Sequence, residues 1–130
     1  TLYLSIIFSM FFVQVLLAEN DVSSAGIYEG ERFTVSYESG IKPLPLNQMH
    51  WWDVSIKTKD GRPVNGANIS VYGGMPAHHH GLPTQPEASP TGDGQYIIKG
   101  LKFSMTGEWE VWLDITAGDN NEKVVFKFSL

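Results

Sequence analysis

Cysteine is absent from this 130-residue chain, and basic residues are few, with nine lysines and arginines against 14 aspartates and glutamates. The lack of thiols excludes disulfide frameworks, iron–sulfur clusters, thiolate zinc sites and thiol catalysis. The formal net charge of −5 argues against binding nucleic acid, which needs a basic surface for the phosphates. The length fits one domain better than two.

Charged residues are also missing from the start of the chain up to Glu19, and residues 2–18 are nearly all apolar. This run is typical of a secretory signal peptide or of an uncleaved membrane anchor, and a buried core helix is the third alternative. The first two alternatives export the protein, so we expect a periplasmic or other extracytoplasmic location. We assign residues 1–18 to the signal peptide or anchor and residues 27–130 to one folded domain.

A helical period is lacking after residue 18, where apolar and polar residues alternate instead. Strict alternation is typical of strands with one face on a core and the other in water. Glycine and proline fall between the alternating runs and indicate turns. We therefore predict an all-β, antiparallel two-sheet, immunoglobulin-like sandwich of about seven strands. The runs are Glu31–Tyr37, His50–Thr58, Gly66–Tyr72, a short one from Tyr96, Phe103–Ile115 and Val124–Leu130, and Gly118–Asn121 predicts a hairpin between the last two.

One stretch, Gly73–Gly94, has no strand pattern over its 22 residues. It holds four of the seven prolines and three of the four histidines. A loop of this length in a small domain is usually functional or disordered, and the prolines favour a stiff, extended path. The stretch is therefore the first place to look for a site.

Histidine and methionine, both metal ligands, are concentrated in this stretch. In an extended backbone His78 and His80 point the same way, and a turn could bring the Met75 thioether back to them. A solvated loop or an incidental metal binder is the alternative for the histidine run. Further candidate ligands from neighbouring strands are His50, Met49 and Met105.

Copper is the metal that this donor set favours. Thioether sulfur selects Cu(I), and imidazole suits Cu(I), Cu(II) and zinc. Zinc is the less favoured metal because the nearest carboxylates are not at motif spacing. Two candidates have an alternative structural role: Met105 has the parity of a core residue, and His50 could be a core-edge histidine that donates to a carbonyl.

Catalytic motifs are lacking. No nucleophile elbow occurs, and the carboxylates are scattered over strand faces without a recognisable acid–base pair. We therefore expect a protein that is not an enzyme. Trp112, which interrupts the polar side of its strand, indicates either an exposed contact patch or a ring covered by a neighbouring loop.

The segments Met75–Pro86 and Gly94–Ile115 together resemble the YtkA-like domain family. The resemblance extends over roughly Arg32 to the C-terminus. Its matching residues are Met75, Pro76, His78, His80 and Gly81 in the loop, Gly94 and Tyr96 in the next strand, and Phe103, Met105, Gly107 and Trp109 in the one after.

The resemblance implies an exported immunoglobulin-like β-sandwich related to FixH-like proteins, with roles in copper handling or in the assembly of respiratory oxidases. The chain departs from many members by carrying His79 between the other two histidines and Leu82 where methionine is frequent. These departures make the site richer in imidazole, which favours Cu(II) or zinc more than an all-methionine site would.

Two functions follow as expectations. The first is an exported, non-enzymatic sandwich that binds or hands over a copper ion through the His/Met loop. The alternative is a structural or interaction module of the cell envelope that docks a membrane or envelope protein through the long loop and Trp112, such as an accessory subunit for oxidase assembly.

Overall fold

Nine β-strands and one 3₁₀ turn make up the fold in the computed structural model, which describes residues 23–130. Five strands form one antiparallel sheet in the order β1-β2-β3-β7-β6, and four form a second in the order β5-β4-β8-β9. The predicted all-β sandwich is confirmed, with nine strands instead of about seven. The strands are β1 (Ala25–Glu29), β2 (Phe33–Ser39), β3 (His50–Thr58), β4 (Asn68–Met75), β5 (His80–Gly81), β6 (Glu87–Gly92), β7 (Gln95–Leu101), β8 (Glu108–Ala117) and β9 (Asn120–Ser129), and the 3₁₀ turn is Pro76–His78.

Alternating burial along the strands builds the core. In β3, which has the predicted bounds, every second residue from His50 to Ile56 is buried, and the residues between are exposed or half-buried. The same alternation runs along β8 and the second half of β9. The inward faces meet in an aromatic-rich core, where the rings of Tyr37 and Trp52 stack with centroids 3.7 Å apart. Burial of apolar area on this scale is the main term that stabilises a fold.

The predicted strand Phe103–Ile115 is wrong in its first part, because β8 begins only at Glu108. Phe103 is fully buried and its carbonyl accepts a hydrogen bond from the Asn47 N–H at 2.7 Å, whereas Met105 is 39% exposed. Gly107 has φ 133°, a conformation that a strand residue with a side chain rarely adopts. The odd-numbered apolar residues before Glu108 therefore belong to an irregular connection.

The prediction of no strand within Gly73–Gly94 is also wrong. This stretch contains the end of β4, the 3₁₀ turn, β5 and β6. β6 is an edge strand whose residues are nearly all exposed, so neither of its faces needed the apolar alternation that marks a half-buried strand. The short strand β1 also lies at a sheet edge and has no buried residue, so its sequence shows no apolar alternation and the strand was not predicted.

Several chain segments converge at one end of the sandwich. β4 ends there at Met75 and β7 ends at Leu101, which lies opposite His50 at the start of β3. The irregular connection before β8 reaches the same end, because Gly107 exchanges two backbone hydrogen bonds with Leu130 after β9. At the opposite end, the predicted β8–β9 hairpin is confirmed, with Ala117 opposite Asn120.

The predicted signal peptide or membrane anchor at residues 1–18 lies outside the described residues. Within residues 23–130, no helix has the length and apolar character that crossing a membrane requires.

Candidate functional site

A tight hairpin between β4 and β5 carries the histidine run. β5 returns antiparallel to β4, so that His80 lies opposite Met75. Between them His79 adopts the left-handed conformation, with φ 52° and ψ 32°, and its N–H donates to the Pro76 carbonyl at 3.5 Å. The predicted extended path through the histidines is therefore wrong: a reversal of the chain, and not a period of two, decides where the imidazoles lie.

The hairpin brings two of the three imidazoles together. The ring centroids of His78 and His80 are 5.8 Å apart, their planes are inclined by 26°, and both residues are exposed. Two imidazoles bound to one ion at about 2.0–2.1 Å would have ring centroids roughly 5–6 Å apart. The spacing of the two ring centroids is therefore compatible with two imidazoles on one ion. His79 forms no such ring contact within the described chain.

Met75 lies opposite His80 of this pair and is buried. Directly opposed residues of an antiparallel pair project to the same face, with Cβ atoms about 4.5–5.5 Å apart, so the side chain of Met75 shares a face with that of His80. Met75 is only 1% exposed. Its methyl group packs against Gly107, where an added Cβ atom would come within 2.7 Å of Cε.

Trp109 borders the site on its core side. The ring of His80 meets that of Trp109 at 70°, with centroids 6.4 Å apart. The indole Nε1–H of Trp109 donates to the carbonyl of Met105 at 2.9 Å and so ties the irregular connection to the site. Met105 is not the buried core residue that its parity allowed; it is partly exposed and lies one hydrogen bond away from the ring that His80 contacts.

His50 has the geometry of a core-edge histidine. It is 3% exposed, and its Nδ1 lies 3.0 Å from the Gln48 carbonyl oxygen. Burial lowers the pKa of His50, against a smaller opposing effect of the Gln48 carbonyl. Its ring contacts Phe103 at 5.3 Å, and within the described chain it is linked to His80 only through the contact of Phe103 with Trp109.

Met49 stands apart from the hairpin. It is 54% exposed, and its methyl carbon lies 3.9 Å from the position that a Cβ atom on Gly100 would take. The structure therefore places the predicted ligands in two groups. His78, His80 and Met75 come together with the Met105 connection close by, whereas His50 and Met49 lie on the β3–β7 side.

No third nitrogen or oxygen donor joins the imidazole pair within the described chain. Among residues 23–130, no three side chains of histidine, aspartate or glutamate come close enough to hold a metal ion. The donors at the hairpin are the imidazoles of His78 and His80, with Met75 opposite His80. Imidazole suits copper and zinc, and a thioether suits Cu(I).

A groove of about 500 Å³ opens beside the hairpin on the outer face of the four-stranded sheet. Its lining includes His79 and His80 of the hairpin, and it includes Tyr72 and Trp112, whose ring centroids are 5.7 Å apart. The Lys123 ammonium lies 3.7 Å from the Trp112 ring centroid. Trp112 is thus half-buried under a lysine of β9, and not under a neighbouring loop.

Sequence reasoning missed the surroundings of the site. Tyr72 lies opposite Trp112 because of the β4–β8 register, which no local pattern reveals. Trp109 is buried, and its contact with His80 depends on the hairpin. The Phe-x-Met-x-Gly-x-Trp spacing was the available signal, since it places Gly107 against Met75 and Trp109 against His80.

Comparison with known proteins agrees with this fold. The sequence model of the YtkA-like family matches residues 29–114, about two thirds of the chain. Curated proteins include no significant match to this chain.

One solved structure shows the same fold, and two more match with lower TM-scores. The chain is similar to a DUF4426 family protein from Pseudomonas aeruginosa PAO1, with a TM-score of 0.60 and 12% identity over 83% of this chain and 95% of that one. It also matches the GAE domain of yeast GGA1, with a TM-score of 0.39 and 8% identity over 82% of this chain and 97% of that one. The match to the GAE domain of GGA2p from Saccharomyces cerevisiae has a TM-score of 0.42 and 8% identity, over 82% of this chain and 96% of that one. The likeness to the DUF4426 family protein shows the fold alone.

Proposed function

This chain belongs to the YtkA-like family, and from that membership and the geometry of the β4–β5 hairpin we propose that it is an exported, non-enzymatic protein that binds or hands over a copper ion through His78 and His80. One observation carries the proposal: the ring centroids of two exposed imidazoles lie 5.8 Å apart at a hairpin in which Met75 lies opposite His80. Export is proposed from the apolar residues 2–18.

Exposure of the imidazole pair suits transfer of the ion. No residue of the 3₁₀ turn is buried, so donors of an incoming complex reach both rings without opening the fold. Exchange of ligands moves the ion from one protein to another and changes no covalent bond. Trp109 contacts the ring of His80 on the core side of the hairpin.

Metal titration of the 130-residue chain in mild detergent tests the proposal. Cu(I) is measured by competition with a chromophoric chelator, and Cu(II) and zinc are measured by calorimetry. We expect His78→Asn and His80→Asn to weaken copper binding by at least about 100-fold, because loss of a direct ligand costs more than the 10- to 100-fold of an outer-shell change.

His79→Asn is the matched control. It makes the same chemical change in the same turn, and asparagine tolerates the left-handed backbone that His79 adopts. We expect copper affinity within about threefold of the parent chain, since His79 is outside the imidazole pair. Equal copper binding by all three variants and the parent would refute the assignment.

A second candidate function is an interaction module of the cell envelope, which would include a role in oxidase assembly. The observation that favours it is the aromatic pair Tyr72 and Trp112 on the outer face of the four-stranded sheet, with Tyr72 41% exposed. Partner binding that survives metal chelation but is lost in Trp112→Thr would favour this function over copper transfer.

A further inference from the structure

The two ends of the sandwich differ in the charge of their connections. Three connections meet at the end that carries the histidine hairpin, which we call the hairpin end: residues 40–49, 76–86 and 102–107. With histidine neutral, the only charged side chains in them are those of Lys42 and Lys102. The connections at the opposite end are shorter in total and hold Glu31, Arg32, Lys59, Asp60, Arg62, Asp93 and Asp119.

Exposed apolar side chains occupy the connections of the hairpin end. Leu46 is 50% exposed, Met49 54% and Met105 39%. Two of these connections touch, because the Asn47 N–H donates to the Phe103 carbonyl. In the described chain, the connections of the opposite end carry no large apolar side chain that is exposed. Exposed apolar side chains that cluster on one surface mark a site of contact with a membrane or another protein.

The chain enters the described fold at the hairpin end. The Ser24 carbonyl accepts a hydrogen bond from the Ser39 N–H at 2.7 Å, and Ser39 lies opposite Trp52 near the start of β3. The apolar run of residues 2–18 ends five positions before Ser23, so even a fully extended chain between them spans no more than roughly 18 Å. A membrane that holds this run therefore lies next to the hairpin end.

We propose that the hairpin end is a membrane-docking surface, on which Leu46, Met49 and Met105 enter the interface of a lipid bilayer. Lipid is the partner because the apolar run that joins this end has the composition of a segment that enters a membrane. The inference rests on the export in the proposed function and not on copper binding.

Charge at the hairpin end does not oppose this contact. Its carboxylates are confined to the ends of strands, at Glu38, Glu87 and Glu108. Glu38 pairs with Lys42, and Glu87 lies opposite Lys99 in the β6–β7 pair. The end is therefore close to neutral in a chain with a net charge of −5, and a bilayer of neutral phospholipid suffices to bind it.

Docking in this orientation brings the histidine hairpin to the membrane surface. His78 and His80 belong to residues 76–86 of the hairpin end. A copper ion on this pair would thus be presented to partners embedded in the membrane, while the charged connections of the opposite end face water.

Contact quenching of single fluorescent labels tests the proposal. Because the chain has no cysteine, Ser104→Cys and Asp119→Cys each accept one fluorophore, at exposed positions of the hairpin end and of the opposite end. The labelled 130-residue chain is reconstituted in phosphatidylcholine vesicles that contain lipids with a nitroxide on the acyl chain, with a copper chelator present. We expect several-fold stronger quenching of the label at position 104. Equal quenching of the two labels would overturn the proposal.

A triple variant separates docking from mere tethering by residues 2–18. Leu46→Gln, Met49→Gln and Met105→Gln together remove the exposed apolar side chains and leave the apolar run unchanged. We expect the variant to lose most of the quenching at position 104, because burying amides in an apolar phase is unfavourable. Circular dichroism checks the fold, which surface substitutions usually change little. Undiminished quenching in the triple variant would mean that the tether alone holds this end near lipid and would overturn the proposal.

Ile27→Gln is the matched control. Ile27 is 70% exposed on β1, outside the connections, so the same exchange of an apolar side chain for an amide should leave quenching at position 104 unchanged. A loss as large as that of the triple variant would show that no particular surface docks and would overturn the proposal. Since copper is chelated throughout, the outcome is independent of the metal titration that tests the proposed function.

Discussion

Gly107 shows how one residue without a side chain shapes the histidine hairpin. Its φ of 133° lies in a region that residues with a Cβ atom rarely occupy, and an added Cβ would come within 2.7 Å of the Met75 methyl. Glycine at position 107 therefore serves two purposes. It allows the unusual backbone conformation, and it leaves room for the Met75 methyl against the irregular connection.

We expect Gly107→Ala to lower the free energy of unfolding by about 2–4 kcal/mol, since backbone strain and overpacking both contribute. Urea denaturation measures this loss. Gly118→Ala is the control, because Gly118 has φ 58° with open space around its Cβ position, so only the backbone strain of about 1 kcal/mol applies. Equal losses in the two variants would contradict the contact with Met75.

His50 makes stability depend on pH. Burial lowers its pKa in the folded state below the ordinary value of 6.5, so the unfolded chain takes up the proton first as the pH falls. The contribution of neutral His50 is therefore fully present above about pH 7.5 and is lost progressively below 6.5, with a slope of at most about 1.4 kcal/mol per pH unit. Denaturation midpoints between pH 5.5 and 7.5 measure this, and His50→Gln should flatten the dependence. An identical pH profile in the variant would exclude His50 as its source.

At the scale of elements, Glu122 joins β9 of one sheet to the β1–β2 turn of the other. Its carboxylate accepts hydrogen bonds from the backbone N–H groups of Glu31 at 2.7 Å, Arg32 at 3.0 Å and Phe33 at 2.9 Å. Gly30 leaves room for the carboxylate, since a Cβ atom there would overlap it. This carboxylate therefore satisfies three donors that a turn would otherwise present to water.

We expect Glu122→Gln to destabilise the fold by about 1–3 kcal/mol, because the amide removes the charge and turns one acceptor into a donor facing N–H groups. Hydrogen exchange should show faster exchange at Glu31 and Phe33. Glu87→Gln is the matched control at an exposed position of β6 and should change stability by less than about 0.5 kcal/mol. Unchanged exchange at the β1–β2 turn would contradict the proposed link.

At the scale of the whole molecule, the net charge of −5 opposes association of two copies. The screening length falls from about 30 Å at 0.01 M salt to about 8 Å at 0.15 M. We therefore expect self-association of the chain to be weakest at the lowest salt concentration and to strengthen over this range, as measured by sedimentation. Association that weakens with salt would mean that attraction between oppositely charged patches outweighs the repulsion of the like net charges.

Parts of the fold could be read from the sequence because their cause is local. A strand with one face on the core must alternate, so β3 was predicted with its observed bounds and the β8–β9 hairpin at its observed place. The edge strands β1, β5 and β6 carry no such requirement and left no pattern to read.

The candidate site was predictable in composition and not in arrangement. Sequence alone determined that imidazole and thioether donors cluster around Met75–His80 and that the chain resembles the YtkA-like family. Tertiary structure decided that His78 and His80 pair while His79 does not, and that His50 lies in the core edge behind Phe103. The physical reason is that alternation records only whether a side chain is buried, whereas the meeting of two side chains depends on chain reversal and strand register, which long-range pairing sets.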